Sequence, residues 1–193
     1  MHRLLLFDVD ATLLLTGGAG MRAMKRATLE LFGESFEWDG IESWGGLDPI
    51  LFAEAARKSA IEVTAAEHDA FRDRYVEILA RELGARAHDV QAMPGVHQIL
   101  DAVRVRPDLV PGLLTGNYPR AAALKLGAIG VDIAWFRIAV FGDEAASRPA
   151  LGALALRKYA EAHGRPISPE RVVVIGDTPK DIHCARENGF LAF

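Results

Sequence analysis

Hydrophobic positions along the chain fall into two patterns. Short unbroken apolar runs, Leu4–Phe7, Val110–Leu114 and Val172–Ile175, read as strands buried on both faces of a parallel sheet. A third strand is expected at about Arg137–Phe141, the fourth spans Arg171–Ile175, and Phe190–Phe193 reads as the start of a fifth. Elsewhere the apolar spacing is helical. Met21, Met24, Ala27 and Leu31 make one face of a helix from Met21 to Phe32, stopped by Gly33. Asp48-Pro49 supplies an N-cap and a first-turn proline for a second helix, with Ile50, Leu51, Ala55 and Ala56 available for burial. Thr64-Ala65-Ala66-Glu67 is a capping box. It opens the longest helix, striped by Phe71, Tyr75, Ile78 and Leu79 and terminated at Gly84. Val96, Ile99, Leu100 and Val103 line a helix after Met93-Pro94-Gly95, and an alanine-rich helix ends near Gly127. Pro149–His163 is an Ala/Leu helix, and Thr178-Pro179 opens the last one, which ends before Gly189.

These elements are not evenly mixed. Between Gly20 and Gly84 only helices are expected, whereas strands and helices alternate on either side. The pattern predicts an α/β protein: a Rossmann-like parallel-sheet core from residues 1–16 and 90–193, with an all-helical cap of residues 17–89 inserted after the first strand. Gly17-Gly18-Ala19-Gly20 reads as a flexible connection and a hinge, while Trp38 and Trp44, both in a loop, read as packing residues.

Composition narrows the function classes. Half of the 193 residues are hydrophobic, enough for a substantial core. The formal net charge of -4, with no basic tract, argues against nucleic acid as the main partner. A single cysteine, Cys184, permits no intrachain disulfide and points to a reducing compartment; in a helix it reads as small core filler. The six histidines show no metal-ligand spacing. No stretch has the apolar length of a membrane span, and Met1-His2-Arg3 runs straight into the first strand without room for a signal peptide. A cytoplasmic protein without a membrane partner is the expectation.

The candidate chemistry gathers at strand ends. Leu4–Phe7 is followed by Asp8-Val9-Asp10-Ala11-Thr12, and in a continuing strand Asp8 and Asp10 would share one face. Two such carboxylates repel unless a cation or a shared proton offsets the charge. The second strand delivers Thr115-Gly116-Asn117, Arg148-Pro149 opens a helical stretch, and the fourth strand delivers Gly176-Asp177-Thr178-Pro179-Lys180-Asp181. Ligands of a parallel α/β sheet collect beyond the carboxyl ends of its strands, so these loops can converge. Four carboxylates, Asp8, Asp10, Asp177 and Asp181, with no His or Cys cluster make a hard oxygen site suited to Mg²⁺. A phosphate dianion could then approach with help from Arg148 and backbone N–H groups.

The order D-x-D-x-T, strand with Thr, basic residue, G-D-x-x-x-D resembles the haloacid dehalogenase superfamily of phosphohydrolases along the whole chain. The resemblance implies a phosphatase acting on a small phosphorylated metabolite, with Mg²⁺ as cofactor. Asp8 would be the nucleophile that becomes a phosphoaspartate, and Asp10 the acid–base that protonates the leaving group and then activates water. Thr12 would position Asp10 or brace the turn. Thr115 and Arg148 would hold the phosphoryl oxygens, with Gly116 and Asn117 beside the phosphate. Asp8, the Asp10 carbonyl and Asp177 would ligate the metal, with Asp181 as a ligand or behind one. Two residues depart from the pattern: Ala11 replaces a common glycine, which is harmless at negative φ, and Arg148 replaces a common lysine.

The glycine-rich hinge and helical cap look like the phosphoglycolate-phosphatase-like group. A phosphosugar mutase and a non-catalytic phosphate-binding module are the rival readings. Arg22, Lys25, Arg57, Lys58, Arg72 and Arg74 of the cap are candidates to meet a substrate anion or only water. The resemblance implies a further covering helix after the fifth strand, so either marginal stability or self-association through that edge is a further expectation.

Overall fold

The computed structural model describes residues 2–193. In chain order the elements are β1 (Arg3–Phe7), β2 (Leu14–Leu15), α1 (Ala19–Phe32), α2 (Asp48–Lys58), α3 (Ala65–Ala85), β3 (Gln91–Ala92), α4 (Val96–Arg104) and β4 (Leu109–Leu114). There follow α5 (Pro119–Ala128), β5 (Ile138–Val140), α6 (Arg148–His163), β6 (Val172–Ile175), α7 (Pro179–Glu187) and β7 (Leu191–Ala192). The main sheet is parallel and ordered β5-β4-β1-β6-β7, which places the apolar run of β1 at its centre. Phe7 lies opposite both Leu113 and Ile175, so the loops after β1, β4 and β6 leave the sheet side by side. That register positions the site.

Both faces of the sheet are covered. Leu4 and Leu6 pack on one side with Leu151 and Ala155 of α6 and with Cys184 and Ala185 of α7. Phe7 and Leu113 pack on the other with Val96 and Leu100 of α4 and Leu126 of α5. Cys184 is fully buried, as its helical setting suggested. The fifth strand pairs with β6 at the sheet edge, where Phe190–Phe193 placed it.

Helices α1, α2 and α3 share a separate hydrophobic cluster, built on Phe52 and Phe71 stacked with ring centroids 3.9 Å apart. Here the pattern of apolar residues misjudged which ones face inward. The buried seam of α1 runs through Ala19, Ala23, Met24, Ala27 and Thr28, because small residues let the helix approach α3 closely; Leu31 is left outside. Ile50 and Ile99 also face solvent, and Trp44 is 68% exposed while Trp38 is buried and donates from Nε1 to Thr28 Oγ1 at 2.8 Å. The two chain crossings between the sheet and this helical layer pair with each other. Leu14 lies opposite Ala92 and Leu15 opposite Gln91 in an antiparallel ribbon, extended by Met93 N–H donating to the Leu13 carbonyl. Two-residue strands are too short for any periodicity to announce them.

Candidate active site

The turn after β1 sets the geometry. β1 ends at Phe7, so Asp8 and Asp10 occupy a tight turn in which the Leu13 and Leu14 N–H groups both donate to the Val9 carbonyl. Ala11 takes φ +57°, in the left-handed region, so the condition of a negative φ under which alanine would be harmless is not met. An L-residue there costs about 1–2 kcal/mol, so the turn holds strain that glycine would not. The turn separates the two acids. Asp8 points to the buried side beside Arg148, whereas Asp10 turns toward α5.

On the buried side Arg148, the first residue of α6, sits between two carboxylates: its Nη2 is 3.1 Å from Asp8 Oδ1 and 2.6 Å from Asp181 Oδ1. Its Nε donates to the same Asp181 oxygen at 3.0 Å. Burial alone pushes the Asp8 carboxyl up; Arg148 opposes the shift while Asp181 and Asp10 add to it, leaving a pKa of about 6. Arg148 itself is buried, which disfavours its charge, but Asp8 and Asp181 outweigh that and hold the guanidinium protonated. Asp181 has both oxygens engaged, Oδ2 accepting from the Thr178 N–H at 3.0 Å and the Thr178 hydroxyl at 2.6 Å. It therefore braces Arg148 and the start of α7 and has little capacity left for a metal.

Oxygens of Asp8, Asp177 and Asp181 lie within 4.8 Å of one another. With Asp181 committed, Asp8 and Asp177 remain as the carboxylates able to bind a cation directly, and an all-oxygen donor set fits a hard divalent ion such as Mg²⁺. The Thr12 hydroxyl donates to Asp177 Oδ1 at 3.1 Å, which places Thr12 on this carboxylate and not on Asp10.

The α5 side holds a residue that the sequence reading missed. Lys125 is buried, and its Nζ donates to both Asp10 oxygens at 2.8 and 2.7 Å and to Asn117 Oδ1 at 2.6 Å. All three ammonium hydrogens are thereby used. Asn117 Nδ2 donates in turn to Asp10 Oδ2 at 2.8 Å and to the Thr115 hydroxyl oxygen at 2.7 Å. The Thr115 hydroxyl accepts and so keeps its own hydrogen free to donate. A signal for Lys125 existed: it lies three and four residues from Ala122 and Ala121 and beside Leu126, on the apolar face of α5.

A segment before α2 closes over the loop after β4. The Asp48 N–H donates to the Gly116 carbonyl at 2.8 Å, and the Tyr118 N–H donates to Asp48 Oδ2 at 3.0 Å. Asp48 is thus the first residue of α2 with Leu47 as its N-cap, and its carboxylate ties α2 to the sheet instead of capping its own helix. A Cβ on Gly116 would lie 1.9 Å from the Gly46 carbonyl oxygen, and one on Gly45 would lie 2.7 Å from Thr178 Oγ1. Only glycine permits contact that close. Burial pushes the Asp48 carboxyl up to about 7, with Lys125 and the Tyr118 hydrogen bond pulling it down. Between this segment, α1, α3 and the catalytic turn lies a cavity of about 380 Å³.

The haloacid dehalogenase-like hydrolase family model matches residues 5–186. No curated protein matches the chain. Among solved structures, CbbY from Rhodobacter sphaeroides in complex with phosphate is 20% identical, with a TM-score of 0.79 over 100% of this chain and 85% of that one. A putative phosphoglycolate phosphatase from Lactobacillus plantarum is 18% identical, with a TM-score of 0.65 over 100% of this chain and 86% of that one. A putative beta-phosphoglucomutase from Thermotoga maritima is 22% identical, with a TM-score of 0.58 over 98% and 82%. At these identities the solved structures speak for the fold. No helix among the described residues is long and apolar enough to cross a membrane. With the family model spanning nearly every element and its motif residues meeting at one end of the sheet, the chain belongs to the haloacid dehalogenase-like hydrolases.

Proposed function

We propose that the chain is a Mg²⁺-dependent phosphatase that hydrolyses a small phosphate monoester through a phosphoaspartate on Asp8. The observation that carries the reading is the division of labour between the two acids. Asp8 is buried against Arg148, and Asp10, two residues on, is held by Lys125 and Asn117. These different settings support reading the first as the nucleophile and the second as the proton carrier.

In the first step the Asp8 carboxylate attacks phosphorus and the bond from phosphorus to the ester oxygen breaks, while Asp10, protonated for this step on an oxygen that gives up a contact with Lys125, passes that proton to the departing alkoxide. In the second, water attacks the phosphoaspartate as Asp10 takes its proton, releasing inorganic phosphate and restoring Asp8. Arg148 offsets negative charge at Asp8 and beside the phosphoryl group, and the free hydrogen of Thr115 donates to a phosphoryl oxygen. Mg²⁺ held by Asp8, Asp177 and the Asp10 carbonyl would neutralise phosphoryl charge and lower the repulsion between two anions. Helices α1–α3, residues 17–89, act as a cap that swings on the β2–β3 ribbon to admit substrate and exclude water.

Phosphate release from p-nitrophenyl phosphate, with and without Mg²⁺, tests the reading. Metal-dependent release that disappears in Asp8→Asn is expected. Binding of phosphate without any turnover would make the protein a binding module instead.

A further inference from the structure

The cavity beyond the phosphate end is poor in available positive charge. Lys125 and Arg148 are the only cations among its lining residues, and each is already paired, with Asp10 and with Asp8 and Asp181. Five carboxylates line the same space: Asp8, Asp10 and Asp177 in the turns after β1 and β6, Asp48 against the loop after β4, and Asp89 beside Gly17. None of the six cap cations singled out in the sequence lines it. Arg22 pairs through Nε with Glu82 at 2.8 Å and donates from Nη1 to the Gly17 carbonyl, leaving only its buried Nη2 without a partner; Arg74 pairs with Glu30 at 2.5 Å and Arg72 with Asp69 at 3.0 Å. A second anion on the substrate would be desolvated beside Asp48 and Asp89 with no unpaired cation among the lining residues, which disfavours it.

The remaining wall is largely apolar, with Leu14, Met21, Met24 and Leu51 interrupted by Thr16, Ser43 and Gln91, and it includes one fully buried polar atom without a partner. Tyr75 is fully buried, and its hydroxyl has no hydrogen-bond partner in the protein. Desolvation pushes that phenol well above its ordinary pKa, so it stays neutral and able both to donate and to accept. It lies beside Gly20, where a Cβ would come within 3.7 Å of the hydroxyl and 3.4 Å of Lys125 Nζ. A buried hydroxyl left unpaired is destabilising, and a ligand oxygen placed there would supply the missing bond.

We infer that the preferred substrate is the phosphate monoester of a neutral, hydroxyl-bearing alcohol, its hydroxyl meeting Tyr75 and its carbon face meeting Met21 and Met24. Bisphosphates and phosphorylated hydroxy acids are disfavoured. The inference rests on the phosphatase reading and names the leaving group for that site.

A matched pair of esters tests it. Glycerol 3-phosphate and 3-phosphoglycerate differ in a hydroxymethyl against a carboxylate, and p-nitrophenyl phosphate reports whether the site hydrolyses esters at all. The expected result is a kcat/KM at least about tenfold higher for glycerol 3-phosphate than for 3-phosphoglycerate. Tyr75→Phe, which removes only the unpaired hydroxyl, lowers the kcat/KM ratio of glycerol 3-phosphate to p-nitrophenyl phosphate about tenfold. Equal turnover of the two glycerol-type esters, none of either, or preference for the carboxylate overturns the inference while aryl phosphate hydrolysis leaves the phosphatase reading standing. An unchanged ratio in Tyr75→Phe overturns it too. Failure to hydrolyse the aryl ester removes both.

Discussion

The phosphate end of the site and the wall that faces it differ in how their charges are settled. At the phosphate end, Arg148 lies within hydrogen-bond length of both Asp8 and Asp181, which its Nε and Nη2 groups engage. On the facing wall, Tyr75 has no partner and Asp48 carries a carboxyl raised to about 7 by its burial. Under the proposed function the first region receives the phosphoryl anion. In the second, Asp48 is tied to the Tyr118 N–H while the Tyr75 hydroxyl is left unpaired, and under the proposed function discrimination between substrates would arise there.

The largest expected effect lies at the settled end. Asp8→Asn removes the nucleophile and should lower the rate of phosphate release by more than about 10³-fold; substantial residual activity would remove Asp8 from the chemistry. Next comes the junction between the regions. Lys125→Met should cost about 10²-fold in kcat with little change in KM, because Asp10 loses its orientation but the phosphate site remains. A matching fall in melting temperature without a kcat effect would reduce Lys125 to a structural residue. Gly116→Ala would drive a Cβ into the Gly46 carbonyl and lift the segment before α2 off the site. Its expected signature is a KM raised about tenfold in a folded protein, read by steady-state kinetics alongside circular dichroism.

The smallest effect is on stability. Asp48 has a folded pKa of about 7 against an ordinary value of 3.8, so the folded protein binds the extra proton between those values. Its contribution to stability is fully present below about pH 4 and is lost as pH rises through about 7. Asp48→Asn keeps an acceptor for the Tyr118 N–H and should raise the melting temperature at pH 7.5 by about 2–4 °C. It should also flatten the pH dependence between 5 and 7. A variant that melts lower at pH 7.5 would show that the charged carboxylate is the stabilising form.

This contrast also explains what the sequence made legible. Residues at strand ends are placed by the backbone itself: once β1, β4 and β6 are read as parallel neighbours, Asp8, Thr115 and Asp177 must meet. Residues on helices are placed by packing. The spacing of Tyr75 announces burial but says nothing of a missing hydrogen-bond partner, and Lys125 is one lysine in an alanine-rich helix until α5 docks beside Asp10. Asp48 read as a helix cap because Asp-Pro has that local meaning, whereas a longer-range bond to the Tyr118 N–H won the carboxylate. The close approach of Gly46 to Gly116 is invisible in sequence, since it is set by the docking of two layers. Trp44 looked like packing material because it is large and apolar; it stands at the cavity, largely in solvent.

The central claim is that the phosphoryl group passes through Asp8. The most direct measurement is to mix the Asp10→Asn variant with Mg²⁺ and aryl phosphate, quench in acid, and locate phosphate on the digested protein by mass spectrometry. Without its general base that variant should accumulate the intermediate. The account predicts one acid-stable, base-labile phosphoryl group on the peptide containing Asp8, and none in the Asp8→Asn protein. Phosphate released at the wild-type rate by Asp8→Asn, or a phosphoryl group found on any other residue, would contradict it.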